Sequence, residues 1–419
     1  MSSKKEVSKV GKSFKGINRR EFIAGAGAAA FSFAVVKPGA VRGTEANSKL
    51  KLGMIGCGMR GTDITERFLE HGGYEVVAAA DYFPKKVDAY GEKYGVPLSK
   101  RFTTLSGYKS LLEQDVDVVA IESPPYFHPE QAAAAVEAGK HVYVAKPIAV
   151  DVPGCNLIGA SGKKASDNKL CFIADFQTRA DGLFREAVKR VQYGDIGRIL
   201  YGEAYFVTGP TWLTWNPIGK ILMEKPNDPE AKLEGWGLSK ELSGDIITEQ
   251  AIHSLDVASW ILDEEALSAY GTCALKSRKI GTTMDYFVVV YQFPKDIALN
   301  FTCKQGGADE FGGTNCRMYG TEGDMDSNYG GMVSIRGNTP YKGGETTELY
   351  WDGVKKNISD FYDNIVKGRY GNTTVPASVR SVLTSILGRN AAYKGELMTW
   401  KQMMNANEKL EADLSGLKM

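Results

Sequence analysis

The sequence predicts an α/β protein, with a doubly wound parallel sheet near the N-terminus followed by a strand-rich α+β domain. Three observations carry this. A glycine-rich turn joins an apolar strand to a helix; short strands and helices then alternate as far as residue 174; and from residue 199 strand-like runs rich in Val, Ile, Tyr and Phe take over. Alternation with short connections implies a parallel sheet covered on both faces. At 419 residues the chain is too long for one compact core, so two domains plus extensions are expected.

Composition narrows the function before any motif is read. The formal net charge is +1, which gives no support for the clustered basic face that nucleic-acid binding needs. The six cysteines, Cys57, Cys155, Cys171, Cys273, Cys303 and Cys316, contain no CxxC pair and do not read as a disulfide framework. The four histidines, His71, His128, His141 and His253, lack HExxH-like spacing, and no metal is expected.

Residues 1–46 read as an export signal that stands outside the fold. A Lys- and Arg-rich stretch ends in Asn18, Arg19, Arg20, Glu21 and Phe22, and an Ala-rich apolar run continues to Val36. A basic region, a short apolar core and small residues make a signal peptide. The Arg19–Arg20 pair is similar to a twin-arginine signal, a route for proteins that cross the membrane already folded. The apolar run is shorter than the roughly 20 residues a membrane-spanning helix needs. A processed periplasmic protein with no membrane anchor is the expectation, cut near Glu45 and Ala46.

Leu50 to Ile55 reads as a strand that runs into Gly56, Cys57, Gly58, Met59, Arg60 and Gly61. A helix from Thr62 to Glu70 follows, then a buried strand from Tyr74 to Ala80 that ends at Asp81. A bare GxGxxG is weak. Set between strand and helix, with an acidic residue about 20 positions on, it is the fingerprint of dinucleotide binding. Gly56 permits the tight turn, Gly58 lets the backbone approach a pyrophosphate, and Gly61 lets helix and strand pack closely. The helix N-terminus offers free N–H groups to phosphate charge, and Met59 and Arg60 are placed at the cofactor with them. Asp81 is placed to accept hydrogen bonds from the adenosine ribose, which favours NAD; Lys85 and Lys86 close by keep NADP open. The rhythm continues with strands at Asp117 to Ile121, His141 to Ala145 and Lys169 to Ala174, and helices at Pro129 to Ala138 and Val152 to Ala165. The dinucleotide-binding domain is therefore 47–174 and the substrate-binding domain 175–419.

Glu122 to His128, Ala138 to Val142, and Ala145, Lys146 and Pro147 resemble the glucose–fructose oxidoreductase / inositol dehydrogenase family of sugar oxidoreductases. Gly244 to Asp256 is similar to that family's catalytic helix, and Ala377 to Leu387 with Leu397 to Trp400 to its C-terminal helical segment. The resemblance implies an NAD(P)-dependent oxidoreductase acting on a sugar or glycoside. It also implies a second domain built on a large, mostly antiparallel open sheet, with helices of 375–419 packing back. Strand-like runs at Ile199 to Val207, Ala266 to Thr272, Met284 to Gln292 and Ile297 to Thr302 agree. An open sheet needs its bare face covered, so a homo-oligomer, dimer or tetramer, is expected.

Taken as one helix, Ile247 to Leu262 puts Ile247, Ala251, Leu255, Ala258 and Leu262 on one apolar face. Glu249, His253, Asp256 and Trp260 then fall within an arc of about 60° on the opposite face. On pattern alone His253 is equally a solvated surface residue; the resemblance makes it catalytic. Hydride loss from a sugar carbon needs a base for the hydroxyl proton, and histidine, with an ordinary pKa of about 6.5, suits that role. Glu249 is expected to orient the imidazole or bind a substrate hydroxyl, although the family usually has Asp there. Lys146 follows a parallel strand at the carboxyl end, where such sheets bind ligands. Its ammonium is expected to meet the reacting oxygen and the cofactor, whose positive nicotinamide would lower its pKa. The family usually carries Glu before this lysine, where this chain has Ala145.

Pro124 and His128 are expected at the cofactor pocket, with helix capping or packing the alternative for His128. Arg179 matches a family position near the substrate cleft, or makes a surface salt bridge. Trp212, Trp215 and Trp236, set among Gly, Pro and Asn, offer aromatic faces that suit sugar rings, against a loop folded onto its own aromatics or an oligomer interface. Three functions fit. One is a sugar dehydrogenase that holds its NAD tightly. A second is an NAD-dependent glycoside hydrolase that oxidises, eliminates and re-reduces, using a tyrosine base among Tyr126, Tyr143 and Tyr205. The third is a nonenzymatic cofactor-binding sensor, against which Lys146 and His253 argue.

Overall fold

The computed structural model describes residues 49–214, 218–308 and 310–419. The expected export signal at 1–46 and Trp215 lie outside the described residues. Among the described residues no helix is long and apolar enough to cross a membrane.

The first sheet contains β1 (Leu50–Ile55), β2 (Tyr74–Ala80), β3 (Arg101–Phe102), β4 (Val118–Ile121), β5 (His141–Ala145) and β6 (Phe172–Asp175). Their order is β3-β2-β1-β4-β5-β6, and every pairing is parallel. Burial on both faces explains why β4 is a continuous apolar run with all four residues buried. The strand order reverses between β1 and β4, and the loops diverge there to leave a crevice over the carboxyl ends.

The second sheet has nine strands: β7 (Ile199–Thr208), β8 (Ser268–Ala274), β9 (Tyr286–Gln292), β10 (Ala298–Gln305), β11 (Gly313–Gly320), β12 (Gly323–Asn328), β13 (Met332–Gly337), β14 (Tyr341–Glu345) and β15 (Met398–Thr399). The order is β14-β13-β12-β11-β7-β10-β9-β8-β15, with β7 and β10 parallel and the other pairs antiparallel. The expected α/β class and mostly antiparallel second sheet are both present. Side chains alternate cleanly: Phe287, Val289 and Tyr291 are buried, while Val288 and Val290 are exposed. Helices Ile252–Leu262 and Thr374–Lys394 cover the buried face.

Helix Thr374–Lys394 also ties the second sheet to the first. Ala174 N donates to Thr374 Oγ1 at 3.3 Å, and Phe172 N to Asn372 Oδ1 at 2.8 Å. The C-terminal tail returns to the first domain, where Leu410 N reaches Asp151 Oδ2 at 2.9 Å. The largest apolar cluster accordingly spans both sheets, running from Val144 and Ile148 through Ile247 and Leu255 to Phe301.

One local expectation fails. The segment read as a continuous helix from Ile247 is two, Ile246–Glu249 and Ile252–Leu262. In an unbroken helix the Glu249 carbonyl would accept from His253 N. Here Lys146 Nζ donates to that carbonyl at 2.6 Å, and His253 N has only a 3.5 Å contact to Gln250 O. Both faces of the second piece are buried, Asp256 and Ser259 included, so its polar stripe faces protein and not solvent.

Candidate active site

The glycine turn does at each position what its sequence requires. Gly56 has φ 94, and a Cβ there would lie 2.6 Å from the Glu122 carbonyl carbon. A Cβ on Gly61 would lie 1.9 Å from Gly56 O, so helix Met59–His71 can cross this close only over a glycine. Gly58, the N-cap, faces open space and has no side-chain cap, which leaves the first N–H groups of the 13-residue helix for an anion. Asp81, at the end of β2, accepts from Cys57 N at 2.8 Å and Phe83 N at 2.9 Å. Burial raises its pKa, against those hydrogen bonds and Lys86. A cleft lined by Gly56, Gly58, Asp81, Glu122, Pro124 and Trp236 runs across the turn. Open space at Gly58, free helix N–H groups and a carboxylate at the β2 end fit a dinucleotide.

Beyond the turn, the carboxyl ends of β4, β5 and β6 collect charge. Lys146 follows β5 and is joined to Pro147 by a cis peptide. Besides the Glu249 carbonyl, its ammonium donates to Glu249 Oε1 at 3.3 Å. Glu249 Oε2 and His253 Nδ1 are buried with no hydrogen bond among the described residues. The His253 ring lies 5.2 Å from the Tyr329 ring and stacks at 6.5 Å on Phe206 from the inner face of β7. Burial, with Lys146 and Arg60 nearby, holds the His253 pKa well below its usual value, so the imidazole is uncharged. Lys146, Glu249 and His253 are thus brought together: a cationic donor, a carboxylate and a neutral base.

Residues 50–169 match a model described as oxidoreductase family, NAD-binding Rossmann fold, and residues 184–326 match the GFO/IDH/MocA C-terminal domain. The chain belongs to the GFO/IDH/MocA oxidoreductase family. It is 24 % identical to an inositol 2-dehydrogenase of Salmonella typhimurium over 330 residues, 76 % of this chain and 87 % of that one. It is 29 % identical to a glycosyl hydrolase family 109 protein of Shewanella pealeana over 168 residues, 39 % of this chain but only 36 % of that protein. Its fold is similar to the crystal structure of an aldose–aldose oxidoreductase from Caulobacter crescentus, with a TM-score of 0.66 at 20 % identity over 84 % of this chain and 99 % of that one.

Within this GFO/IDH/MocA chain, several expected site residues stand elsewhere. Arg60 is engaged within the protein: it donates to Asp175 Oδ2 at 2.7 Å and Tyr350 OH at 2.6 Å, with Glu122 Oε2 at 3.5 Å. The Met59 side chain is exposed, so only its backbone belongs to the helix N-terminus. His128 does not line the cleft. Its ring nitrogens lie 2.9 Å from Pro147 O and 2.7 Å from Ser123 O, pinning the Pro124 loop to the Lys146 turn. Burial takes its pKa down to about 4, so the neutral ring donates to one carbonyl only. Arg179 makes a buried ion pair and not a surface one: its guanidinium grips Asp256 at 2.8 to 3.0 Å and lies over Trp260.

The tryptophans are displaced most. Trp212 packs into a small cluster with Leu222, Ala231 and Leu238, and Trp236 meets it edge to face at 4.8 Å. Lys86–Glu234 at 3.2 Å and Tyr82–Glu230 at 3.0 Å fasten this helical segment over the Asp81 end of the cleft. Trp236 therefore lines the cleft at the dinucleotide turn. Of the tyrosines, Tyr143 is fully buried in the first domain's core and Tyr205 shares the outer face of the second sheet with Glu203. Glu122, Asp175, Tyr329 and Tyr350 carried no role in the sequence reading. Only Glu122 lay inside a recognised motif; the others reach the site through tertiary packing alone.

Proposed function

We propose that this protein is an exported NAD-dependent dehydrogenase that oxidises a secondary hydroxyl of a sugar or glycoside and keeps its cofactor tightly bound. The observation that carries this is the meeting of Lys146, Glu249 and an uncharged His253 beyond the glycine turn. The cofactor, when bound, supplies the hydride acceptor. His253 takes the hydroxyl proton, because burial keeps it neutral and ready to accept. Lys146, held in place by Glu249, donates a hydrogen bond to the reacting oxygen and offsets its developing charge. Glu249 Oε2 is free to accept from a neighbouring substrate hydroxyl, which favours a polyol over a simple alcohol. Similarity to an inositol 2-dehydrogenase supports the same class. The twin-arginine motif supports export, and an exported enzyme needs tight cofactor retention because it has no cytoplasmic NAD pool to draw on. The bare face of the second sheet supports a homo-oligomer.

A second reading is a glycoside hydrolase that oxidises, eliminates and re-reduces. It is favoured by the match to glycosyl hydrolase family 109 proteins and by Tyr329, whose buried hydroxyl has no hydrogen bond beside His253. One experiment separates the readings: purified protein, added NAD and a panel of glycosides, with reduced nicotinamide and released sugar measured in the same tube. Reduced cofactor with the glycosidic bond intact supports the dehydrogenase. Sugar release without net reduction supports the hydrolase, and neither signal across the panel leaves a cofactor-binding sensor.

A further inference from the structure

Glu122 stands directly after β4, next to the strand-order reversal. Its backbone lies against Gly56 of the turn at the cleft, and its side chain is fully buried directly behind the cleft wall. Ile121 pairs with Val144 of β5, so Glu122 is level with Ala145 and adjoins Lys146. Neither carboxyl oxygen has a hydrogen bond. Arg60 Nε comes no nearer than 3.5 Å, and the guanidinium's own hydrogen bonds go to Asp175 and Tyr350. A buried carboxyl whose one cationic neighbour stays at 3.5 Å and is engaged elsewhere is costly, and a further positive group arriving nearby relieves that cost.

The cleft indicates what arrives. Asp81 marks the adenosine end, and the free helix N–H groups at Gly58 mark the pyrophosphate. The nicotinamide half then continues past β1 toward β4 and β5. We propose that Glu122 is the carboxylate that meets this half of the dinucleotide and favours its oxidised, positively charged form over the reduced one. The proposal rests on dinucleotide binding and not on the sugar chemistry.

The charged surroundings make Glu122 responsive. It faces Arg60 from the turn, Lys146 from the end of β5 and Asp175 from the end of β6, with the hydroxyls of Tyr143 and Tyr350 beside it. Burial holds its carboxyl up to about 8, although Arg60 and Lys146 pull the other way. Near neutral pH it is therefore largely protonated. With an oxidised nicotinamide held in this half of the cleft, Glu122 would lose its proton to solvent and stand as the carboxylate. Reduction of the ring removes the positive charge, and the carboxylate takes a proton back.

The test is equilibrium binding to the whole protein, freed of cofactor, with no sugar present. Dissociation constants for NAD and NADH are measured by calorimetry at pH 7 in two buffers of different ionisation heat, for wild type and Glu122→Gln. The expected result is proton release when wild type binds NAD and none when it binds NADH. Glu122→Gln should abolish that release and weaken NAD relative to NADH by about tenfold, the scale of one partly screened charge pair. Wild type that binds NAD without releasing a proton overturns the proposal. So does a Glu122→Gln protein that binds both forms with the wild-type ratio. Wild type that binds neither form overturns the dinucleotide reading itself. Glu122→Gln keeps the side-chain volume, and should it fail to fold the wild-type proton count still decides.

Discussion

At the scale of single residues, burial sets the chemistry. His253 sits 8 % exposed among Phe206, Tyr329 and two cations, and its neutrality follows from that setting more than from the residue type. Replacing it with alanine should lower the rate of sugar oxidation by about 10²- to 10⁴-fold, the usual contribution of a general base. NAD affinity should be nearly unchanged, because no cofactor contact is removed. Turnover at the wild-type rate would dismiss the assignment. His128 is a second buried imidazole with a different outcome. Its folded pKa of about 4 lies below the ordinary value of about 6.5. Between those values the unfolded chain binds a proton that the folded chain does not. The contribution is therefore fully present above about pH 6.5 and shrinks as pH falls toward 4, by up to about 1.4 kcal/mol per unit. Urea unfolding from pH 7 to 4.5 should show a shallower loss of stability in His128→Asn than in wild type. The comparison also removes Glu122, which acts with the opposite sign over its own range and is present in both proteins.

At the scale of elements, what could be read from the sequence was what is locally encoded. β1, β2, β4 and β5 are short apolar runs bounded by turns, and the glycine turn fixes its own geometry. β12 is Gly-Asp-Met-Asp-Ser-Asn and β14 is Tyr-Lys-Gly-Gly-Glu, with too little apolar periodicity to reveal a strand; their pairing partners make them strands. The break after Glu249 was hidden because its cause, Lys146, is remote in sequence. The Arg179–Asp256 grip was half visible, since Asp256 shared the His253 stripe but its partner did not. Asp256 is wholly buried and Arg179 nearly so. Arg179→Ala should cost about 3–5 kcal/mol by stranding that carboxylate. Replacing both residues with apolar ones of similar size should recover most of the loss in denaturant unfolding. An equal loss in both variants would show that packing, not the stranded charge, is responsible. The Trp212–Trp236 element makes a separate prediction. Trp236→Ala should weaken NAD binding roughly three- to tenfold, the range of an aromatic packing contact, and leave the sugar KM unchanged. A raised sugar KM with intact NAD binding would restore the sugar-stacking role that the sequence suggested.

At the scale of the whole molecule, the two sheets differ in how their faces are covered. The first is wrapped by helices on both sides, and its central strand β4 is apolar throughout. Among the described residues the second has helices on one face only. On the other face lie Tyr201, Tyr270, Val288 and Val290, each at least 40 % exposed, with Tyr201 stacked on Tyr319 at 4.5 Å. Register places Val290 between Tyr270 and Asn300, and Val288 between Thr272 and Thr302. Val288 and Val290 are thus flanked by Tyr270 and Thr272 of β8 on one side and by Asn300 and Thr302 of β10 on the other, a mixed apolar and polar face such as protein interfaces use. A second copy of this chain is the partner that requires nothing further, because two such faces meeting about a twofold axis bury identical surfaces. Light scattering should report a multimer for the wild type and a monomer for the Val288→Lys/Val290→Lys variant. NAD binding should survive in that monomer, since the cleft lies on the first sheet. A monomeric wild type would mean that the bare face has another occupant, and a double variant that stays multimeric would move the interface to another surface.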